Sequence, residues 1–594
     1  MIIKKNGKSF VQLKLNDILY NAAILGVLKI LIHSGDINSK DFPEKNYINI
    51  PLETFDNFAQ KYIDFLIDKY KKDFIYLYNF ELSYKILLSE NFEKSKNIKE
   101  KIKLLKNLAL IAKSGTKKNS FNANLHTPMW IFYHFMSDDS INMEEKSQRK
   151  KYSKKIGDIL KNIYYTLQDI LNNNNQVEEK INALFLENIE LIKNVYDYKN
   201  EFYMKYISNN IIKKIWDRRC WRSTSYRNIL SKDIYEKIFI LPLKQYIKRT
   251  SKRDLYCLTC GQEIKIIDLS FNYVWLNAYG IDSHKKNSVF WNSVRDDYMC
   301  AVCYLIYSAA PAGIIFIKHP YMKIFNSYFI NQNNNIKMLY RINQIFSNNL
   351  KNRLVDSDGR NLSPNLFMVW ASIWDIKKNE SEIVYDFVEI FKLMNNDKLN
   401  IDFLSDYHMQ VFELSYKYLK KINQIRYKNH QGNYVYIVDE LLNLIVEGKK
   451  IRNFIIDLII IYTKNNRKAY FLKHIMEVMF IVNSIGNKEI STMYEKSHKS
   501  IKWLGNKLGK LMRNKKLKSY IYEMTNYLNN GERSKFINTL IKTHIAYSCR
   551  IKNHYVDNLY NDEYDFQSLG TVYIIGLAEA IKNKGKEKNE KNEK

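Results

Sequence analysis

Apolar residues recur at helical spacing near the start of the chain. In residues 16–35, NDILYNAAILGVLKILIHSG, positions 18, 22, 25 and 28 are apolar, which places them on one face of a helix. Asn16 is expected to cap this helix and Gly35 to end it. Similar patterns over 52–73 and 99–113 predict further helices, whereas β-branched and aromatic runs predict strands within 47–50, 264–276 and 313–317. The first half is therefore predicted to be mixed.

Beyond about residue 380 the hydrophobic pattern is helical almost throughout. Polar runs rich in Asn, Gly, Ser or Lys predict loops at 114–124, 146–155, 172–175, 331–335 and 356–365. The last residues, KNKGKEKNEKNEK, have nothing to bury, so a disordered tail is expected.

Four of the six cysteines form two Cys-x-x-Cys pairs, Cys257 with Cys260 and Cys300 with Cys303. Two such turns brought together give the four-sulfur shell that Zn²⁺ favours, and Gly261 permits the tight turn of a zinc knuckle. Four sulfur ligands leave no position for water, so the predicted Zn²⁺ is structural rather than catalytic. A redox dithiol and four unliganded core cysteines are the alternatives.

These patterns predict an α+β, predominantly helical fold with a zinc-ribbon-like module embedded in a mixed N-terminal part and an all-α helical bundle at the C-terminus. The expected division is a mixed domain over 1–243, a zinc-binding module over 244–330, a helical connecting region over 331–463, a basic helical bundle over 464–582 and a disordered charged tail over 583–594.

Composition adds a strong charge signal. The chain has 594 residues, and 93 Lys and Arg against 62 Asp and Glu give a net charge of +31. Such an excess favours a polyanionic partner over a merely basic surface, and nucleic acid is the expected one. The apolar runs are interrupted by polar residues and are shorter than the roughly 20 residues that span a bilayer, and no secretory-signal pattern is visible. A cytoplasmic protein without membrane attachment is expected.

The strongest basic segment is 496–519, which has nine Lys or Arg and no acidic residue. Its apolar residues Ile501, Leu504, Leu508 and Leu511 recur at helical spacing, so one face is predicted to pack while the other is cationic. Contact with a phosphate backbone is preferred over a solvated face or a membrane-surface helix.

Other basic segments stand beside aromatic residues or the cysteine pairs. Residues 216–228, WDRRCWRSTSYRN, set arginines among aromatics, and residues 244–253 place basic residues directly before Cys257. A solvated helix face is the alternative for the arginines. The predicted nucleic-acid-binding residues are Lys117, Lys118, Asn119, Arg218, Arg219, Arg222, Arg227, Lys248, Arg249, Lys252, Arg253, Lys499, Lys502, Lys507, Lys510, Arg513, Lys515 and Lys516.

One enzymatic alternative concerns the insertion between the cysteine pairs. Some His-Asn-His nucleases bracket their catalytic unit with two such pairs, and the insertion contains His284, Asn287 and Asn292. The Asp-His doublet of those enzymes is broken here, because Ser283 separates Asp282 from His284. No catalytic residues are predicted, and a zinc-bracketed nuclease remains the alternative alongside a general nucleic-acid-binding scaffold.

Three features together resemble a known family: NDILYNAAILGVLKIL near the start, CLTC and CAVC followed by YSAAPAGIIFI, and a basic helical C-terminal part. The chain resembles the CXXC-CXXC CRISPR-associated proteins, the large subunit of type I Cascade effector complexes, most like subtype I-B. The resemblance covers the whole length in organisation, and its specific motif is the cysteine pairs.

This resemblance implies a non-enzymatic subunit with several partners. It would bind the 5′ handle of the crRNA, recognise the protospacer-adjacent motif on duplex DNA and help to open it. Its C-terminal bundle would guide displaced single-stranded DNA, next to other Cascade subunits and a recruited helicase-nuclease. Base pairing supplies the sequence specificity of RNA-guided systems, so basic surfaces without a catalytic constellation are expected. The loop with Lys117, Lys118 and Asn119 is the candidate motif reader.

Overall fold

The fold is α+β and predominantly helical, as predicted. The computed structural model describes residues 2–111, 146–173, 176–216, 230–248, 256–264, 270–271, 299–318, 325–355, 362–379, 387–393, 399–429, 431–465, 469–485, 488–560 and 566–581. The chain forms two compact units, the first made of Met1–Gln344 with Glu389–Ile401 and the second of Ile345–Val388 with Asp402–Lys594. The five-segment division expected from the sequence stays a prediction.

The first unit packs helices against small antiparallel sheets. Its three-stranded sheet has the order β1-β2-β3, and a longer sheet has the order β6-β7-β8-β9. The strands are β1 (Ile2–Lys5), β2 (Lys8–Lys14), β3 (Tyr47–Pro51), β4 (Ser270–Phe271), β5 (Met299–Cys300), β6 (Ile315–Lys318) and β7 (Phe325–Asn331), with β8 (Phe387–Leu393) and β9 (Leu399–Ser405) beginning or ending at the division between units.

The helices of the first unit are α1 (Ile18–His33), α2 (Phe58–Tyr70), α3 (Ile75–Ser89), α4 (Ile98–Ile111), α5 (Lys146–Asn172), α6 (Val177–Glu187), α7 (Ile189–Asp197), α8 (Lys199–Ile207), α9 (Lys213–Ile215), α10 (Ser231–Tyr235), α11 (Leu241–Lys248), α12 (Ala301–Ser308) and α13 (Ala310–Gly313). Single π-helical turns, Ser208–Ile212 and Glu236–Ile240, follow α8 and α10. Helix α14 (Ile336–Arg353) begins in this unit and ends in the second.

The second unit is mainly helical. Its helices are α15 (Leu366–Asn379), α16 (Asp406–Ile422), α17 (Ile437–Val446), α18 (Ile451–Lys464), α19 (Leu472–Ser484), α20 (Lys488–Leu511), α21 (Asn514–Asn529), α22 (Arg533–Ala546), α23 (Asn553–Tyr560) and α24 (Phe566–Glu579). A hairpin of β10 (Arg426–Lys428) and β11 (Tyr434–Tyr436) interrupts them. No helix in the described part of the chain is both long enough and apolar enough to cross a membrane.

Helix α1 lies at the centre of the first unit. Hydrogen bonds at its two ends fix the residues at which it begins and ends. Its N-cap is Asp17 rather than the expected Asn16, because the Asp17 carboxylate accepts from the N–H groups of Leu19 and Tyr20. Gly35 ends it as expected, with φ +79°, and the Gly35 and Asp36 N–H groups donate to carbonyls of the last turn. A glycine in the left-handed conformation commonly ends a helix in this way.

Two glycines bring the backbone of α1 against the segment that follows α12. A Cβ atom at Gly26 would overlap the carbonyl oxygen of Ala309, and one at Gly313 would overlap that of Ala22. The Lys29 ammonium group donates to the Gly313 carbonyl at 3.0 Å, so it satisfies a carbonyl at the end of α13. Backbones at this distance leave room for hydrogen atoms only, and glycine is therefore required on both sides.

Several sequence expectations differ from the structure. The strands within 47–50 and 313–317 are confirmed as β3 and β6. The run 146–155, expected to be a loop, is the first part of α5, since it contains neither Gly nor Pro and consists mostly of Lys, Arg and Gln, which are good helix formers. Strands β8 and β9 and the β10–β11 hairpin lie beyond residue 380, where helix was expected almost throughout. Strand β8 pairs with β7 from a distant part of the chain, and β10 and β11 have three residues each, so local periodicity represents these strands poorly.

Candidate metal centre and basic surfaces

The first cysteine pair lies in a tight turn that is closed by an isolated bridge between Tyr256 and Glu263. The Cys257 N–H donates to the Gln262 carbonyl at 2.7 Å, and the Gly261 N–H donates to the Cys257 carbonyl at 2.8 Å. Gly261 has φ +68°, a left-handed conformation that favours glycine. The turn therefore has the backbone of a zinc knuckle, and both of its thiols are available to bind one metal ion.

The second pair lies at the start of a helix. Cys300 ends β5, which pairs antiparallel with β4, and it is the N-cap of α12. Its sulfur accepts from the N–H group of Cys303 at 3.5 Å. The N-terminus of a helix carries partial positive charge, which would help to stabilise the thiolate form that a bound metal requires.

The four cysteine sulfurs converge, as predicted. The ligand atoms of Cys257, Cys260, Cys300 and Cys303 all lie within 4.8 Å of one another, and the sulfurs of Cys260 and Cys300 are 3.8 Å apart. A tetrahedron with Zn–S bonds of about 2.3 Å has S–S edges of about 3.8 Å. All four cysteines are free of disulfides. The cluster therefore fits a metal ion such as Zn²⁺, which would be held by four sulfurs and closed to water.

The thiols also perturb one another electrostatically. The pKa of the Cys257 thiol lies well below its usual range, because Cys260, Cys300 and Cys303 donate hydrogen bonds to its sulfur. The pKa values of the Cys300 and Cys303 thiols lie well above theirs, because their protons interact with Cys257 and because both side chains are buried. A bound divalent cation would offset part of the charge of four converging thiolates, since a coordinated thiol is deprotonated.

Helix α1 contributes contacts around the cluster that sequence reasoning missed. The Tyr20 hydroxyl lies 3.7 Å from the Cys303 sulfur, and the Asn16 side chain donates to the Thr259 carbonyl at 3.0 Å. The Tyr307 hydroxyl donates to the Asp17 carboxylate at 2.9 Å. Residues separated by more than two hundred positions make these contacts, so no local spacing signals them. Groups around the ligands orient a metal site, and here they connect it to the core.

Many predicted nucleic-acid-binding residues lie outside the described residues, and so does His284. Lys248 ends α11, although its side chain is not among the described ones. Trp216, from the arginine-rich segment, is 2% exposed, and its indole N–H donates to the Tyr307 carbonyl at 3.2 Å. This tryptophan is therefore a core residue. The predicted residues outside the description are Lys117, Lys118, Asn119, Arg218, Arg219, Arg222, Arg227, Arg249, Lys252 and Arg253.

The basic segment 496–519 is formed by two helices, because α20 ends at Leu511 and α21 begins at Asn514. Ile501, Leu504 and Leu508 are buried as predicted, whereas Leu511 is 52% exposed and Met512 is buried instead. Leu511 is the last residue of α20, and Met512, which follows the helix, is buried in its place. The expectation for Leu511 is therefore wrong.

Most predicted basic residues of this segment are exposed. The exception is Lys502, whose ammonium group lies 2.9 Å from the Glu579 carboxylate and whose side chain is 18% exposed. An ion-paired lysine is a weaker candidate for a phosphate contact, because binding would have to break the pair. The exposed residues are Lys499, Lys507, Lys510, Arg513, Lys515 and Lys516.

Helix α20 is held closely on its other side by α24. A Cβ atom at Gly505 would overlap the carbonyl oxygen of Tyr573, and one at Gly576 would overlap that of Lys502. Small residues at facing positions let two helix backbones approach, and the contact fixes the orientation of α20. The cationic side chains therefore project from a firmly packed helix.

Fold and site together define a mainly helical α+β protein with a four-cysteine cluster in its first unit that could hold a metal ion. Residues 250–315 match the model of a protein family described as CRISPR-associated protein (Cas_CXXC_CXXC). The matched residues contain all four cysteines, so the match supports a CRISPR-associated protein of the CXXC-CXXC kind. No curated protein and no solved structure matches the chain.

Proposed function

We propose that this chain is the non-catalytic large subunit of a type I CRISPR Cascade complex, most like subtype I-B. It binds the 5′ handle region of the crRNA and the target DNA, recognises the protospacer-adjacent motif and promotes R-loop formation. It also recruits a helicase-nuclease, which cuts the DNA. Other Cascade subunits are its protein partners.

The observation that carries this proposal is the family match over the metal centre. The match covers residues 250–315, and within it four sulfurs surround one metal-sized space. Such a site has no open ligand position, so its metal would support the fold rather than activate water. In RNA-guided recognition, a protein subunit reads a short motif and the phosphate backbone, and base pairing reads the sequence. A net charge of +31 suits contact with a phosphate backbone.

The sharpest test uses the full chain assembled with crRNA and the other subunits. Binding of a duplex target that carries the protospacer-adjacent motif is expected to be strong, and binding of the same target with a scrambled motif is expected to fall to the level of non-target DNA. The measurement is an electrophoretic mobility shift with a titration of complex. Equal binding of both targets would contradict motif recognition.

A cleavage assay separates the proposal from the nuclease alternative. The purified chain is incubated with duplex and single-stranded DNA in the presence of Mg²⁺, and the products are separated on a denaturing gel. Intact DNA is expected. Cutting that disappears in His284→Ala would replace the proposal with a zinc-bracketed nuclease.

The exposed lysines at the end of α20 and the start of α21 are expected to bind phosphates. Replacing Lys507, Lys510, Lys515 and Lys516 with Ala should weaken DNA binding. It should also flatten the dependence of log K on log salt by up to about 0.7–0.9 per lost contact, because fewer counterions are released. Fluorescence anisotropy at several salt concentrations measures both quantities.

A matched control removes the same charge from other exposed positions of the second unit. Lys420, Lys421, Lys450 and Lys464 are exposed, so their replacement with Ala tests net charge without changing the surface of α20 and α21. The control should leave the salt dependence close to that of the wild type. Equal losses in both variants would indicate a general charge effect and no phosphate site on these helices.

A further inference from the structure

One tryptophan of the second unit is exposed where the others are not. Among the tryptophans that the structure describes, Trp216 and Trp370 are buried and Trp374 is half-buried, whereas Trp503 on α20 is 55% exposed. A tryptophan that remains in water gives up much of the free energy that its burial would provide.

Trp503 lies within a stripe of basic residues. With about 100° of rotation per residue, Lys499, Trp503, Lys507 and Lys510 fall within about 80° of one another around α20. All four are exposed. The Lys507 ammonium group lies 5.0 Å from the centre of the Trp503 ring, a cation–π distance. The segment 496–519 has no acidic residue, so every charge that it contributes to this face is positive.

The stripe has a rigid support. Ile501, Leu504 and Leu508 are at most 1% exposed and lie on the other side of the same helix. Gly505 adds the close backbone crossing with α24. Because α20 cannot rotate without breaking these contacts, the helix keeps the face with Trp503 and the lysines outward. A fixed flat ring between cations is the arrangement with which proteins bind single-stranded nucleic acid.

We propose that Trp503 stacks on an unpaired base of a single-stranded nucleic acid, while Lys499, Lys507 and Lys510 contact the phosphates on either side. The proposal rests on the nucleic-acid binding of the proposed function and adds contact with bases. The bases of a duplex are stacked on one another and are unavailable to an indole ring, so this surface selects single strands. Lys507 would move from the ring to a phosphate, which exposes the ring face to the base.

The test compares two single-stranded ligands with equal charge. One is oligo(dT), and the other is an oligomer of the same length in which the sugars carry no bases. Fluorescence anisotropy with the full chain should show at least about fivefold tighter binding of oligo(dT), since stacking on one aromatic residue contributes about that factor or more. Trp503→Ala should remove this difference and leave the salt dependence unchanged, because no phosphate contact is lost.

Two further variants complete the design. Trp503→Phe keeps a ring and should retain part of the preference for oligo(dT). Tyr470→Ala removes another exposed aromatic side chain of the same unit, 63% exposed, and should retain all of it. Equal binding of both ligands by the wild type, or a Trp503→Ala loss that is equal for both, would overturn base stacking while phosphate binding stands. Failure of the wild type to bind either ligand would contradict nucleic-acid binding at this surface altogether.

Discussion

Replacing Cys257 and Cys300 with Ser is expected to abolish Zn²⁺ binding and to destabilise the first unit. Each change removes one sulfur from a different pair, so neither half of the cluster remains complete. Structural Zn²⁺ contributes about 10–16 kcal/mol of apparent binding free energy in small zinc domains, which is comparable with the whole stability of a domain, about 5–15 kcal/mol. Metal content by elemental analysis and thermal unfolding by circular dichroism measure the two effects.

Cys549→Ser is the matched control, because Cys549 is also buried but lies outside the cluster. It should keep the metal content of the wild type and lower the stability only by the cost of one buried polar substitution, about 1–3 kcal/mol. A wild-type protein that is purified without stoichiometric zinc and gains no stability when zinc is added would refute the structural role of the site.

The second large effect is expected at the crossing of α1 with the segment after α12. Gly26→Ala should destabilise the first unit by about 3 kcal/mol or more, because the new methyl group overlaps a backbone carbonyl, which cannot move aside as a side chain can. The unfolding midpoint in urea, followed by tryptophan fluorescence or circular dichroism, measures the change.

Gly35→Ala, at the end of the same helix, is the control for the loss of a glycine. A Cβ atom at Gly35 has no neighbour within 4 Å, but φ is +79°. The expected cost is the conformational one alone, about 1–2 kcal/mol. If Gly26→Ala cost no more than Gly35→Ala, the close crossing of the two backbones would be refuted.

The metal cluster could be predicted from sequence because its geometry is largely local. A Cys-x-x-Cys turn sets two sulfurs side by side whatever surrounds it, and Gly261 marks the left-handed residue of the first turn. The second pair is arranged differently, since Cys300 caps a helix and Cys303 lies in the first turn of that helix. The sequence contains both spacings, and only the way in which the pairs meet depends on the fold.

The contacts around the cluster could not be predicted in the same way. Asn16 and Asp17 are adjacent and both suit a helix cap, so propensity alone does not separate them. Asp17 caps α1 and also accepts from Tyr307, which leaves Asn16 to reach the Thr259 carbonyl. The choice depends on partners hundreds of residues away, and these partners become known only with the tertiary structure.

The basic surface was predicted in outline and missed in detail. Composition marked the segment 496–519, but Lys502 faces Glu579 and Leu511 lies beyond the buried stripe. Both residues lie within α20, and the sequence does not show how α24 packs against that helix, so the edge of its buried face and the partner of Lys502 become known only with the fold. Trp503 lies on the same face of α20 as the lysines. Its role could have been predicted by examining the cationic face for aromatic residues.

The position of α1 has a consequence for how the protein is made. The helix is buried against residues that are synthesised about 280 positions later, between Ala309 and Gly313. At 5–20 residues per second, a ribosome needs roughly 14 to 56 seconds to supply that partner. Throughout this interval the face of α1 that packs against this segment has no native surface to cover it. The nascent chain is therefore expected to depend on chaperones, and slow translation of the first half should increase aggregation.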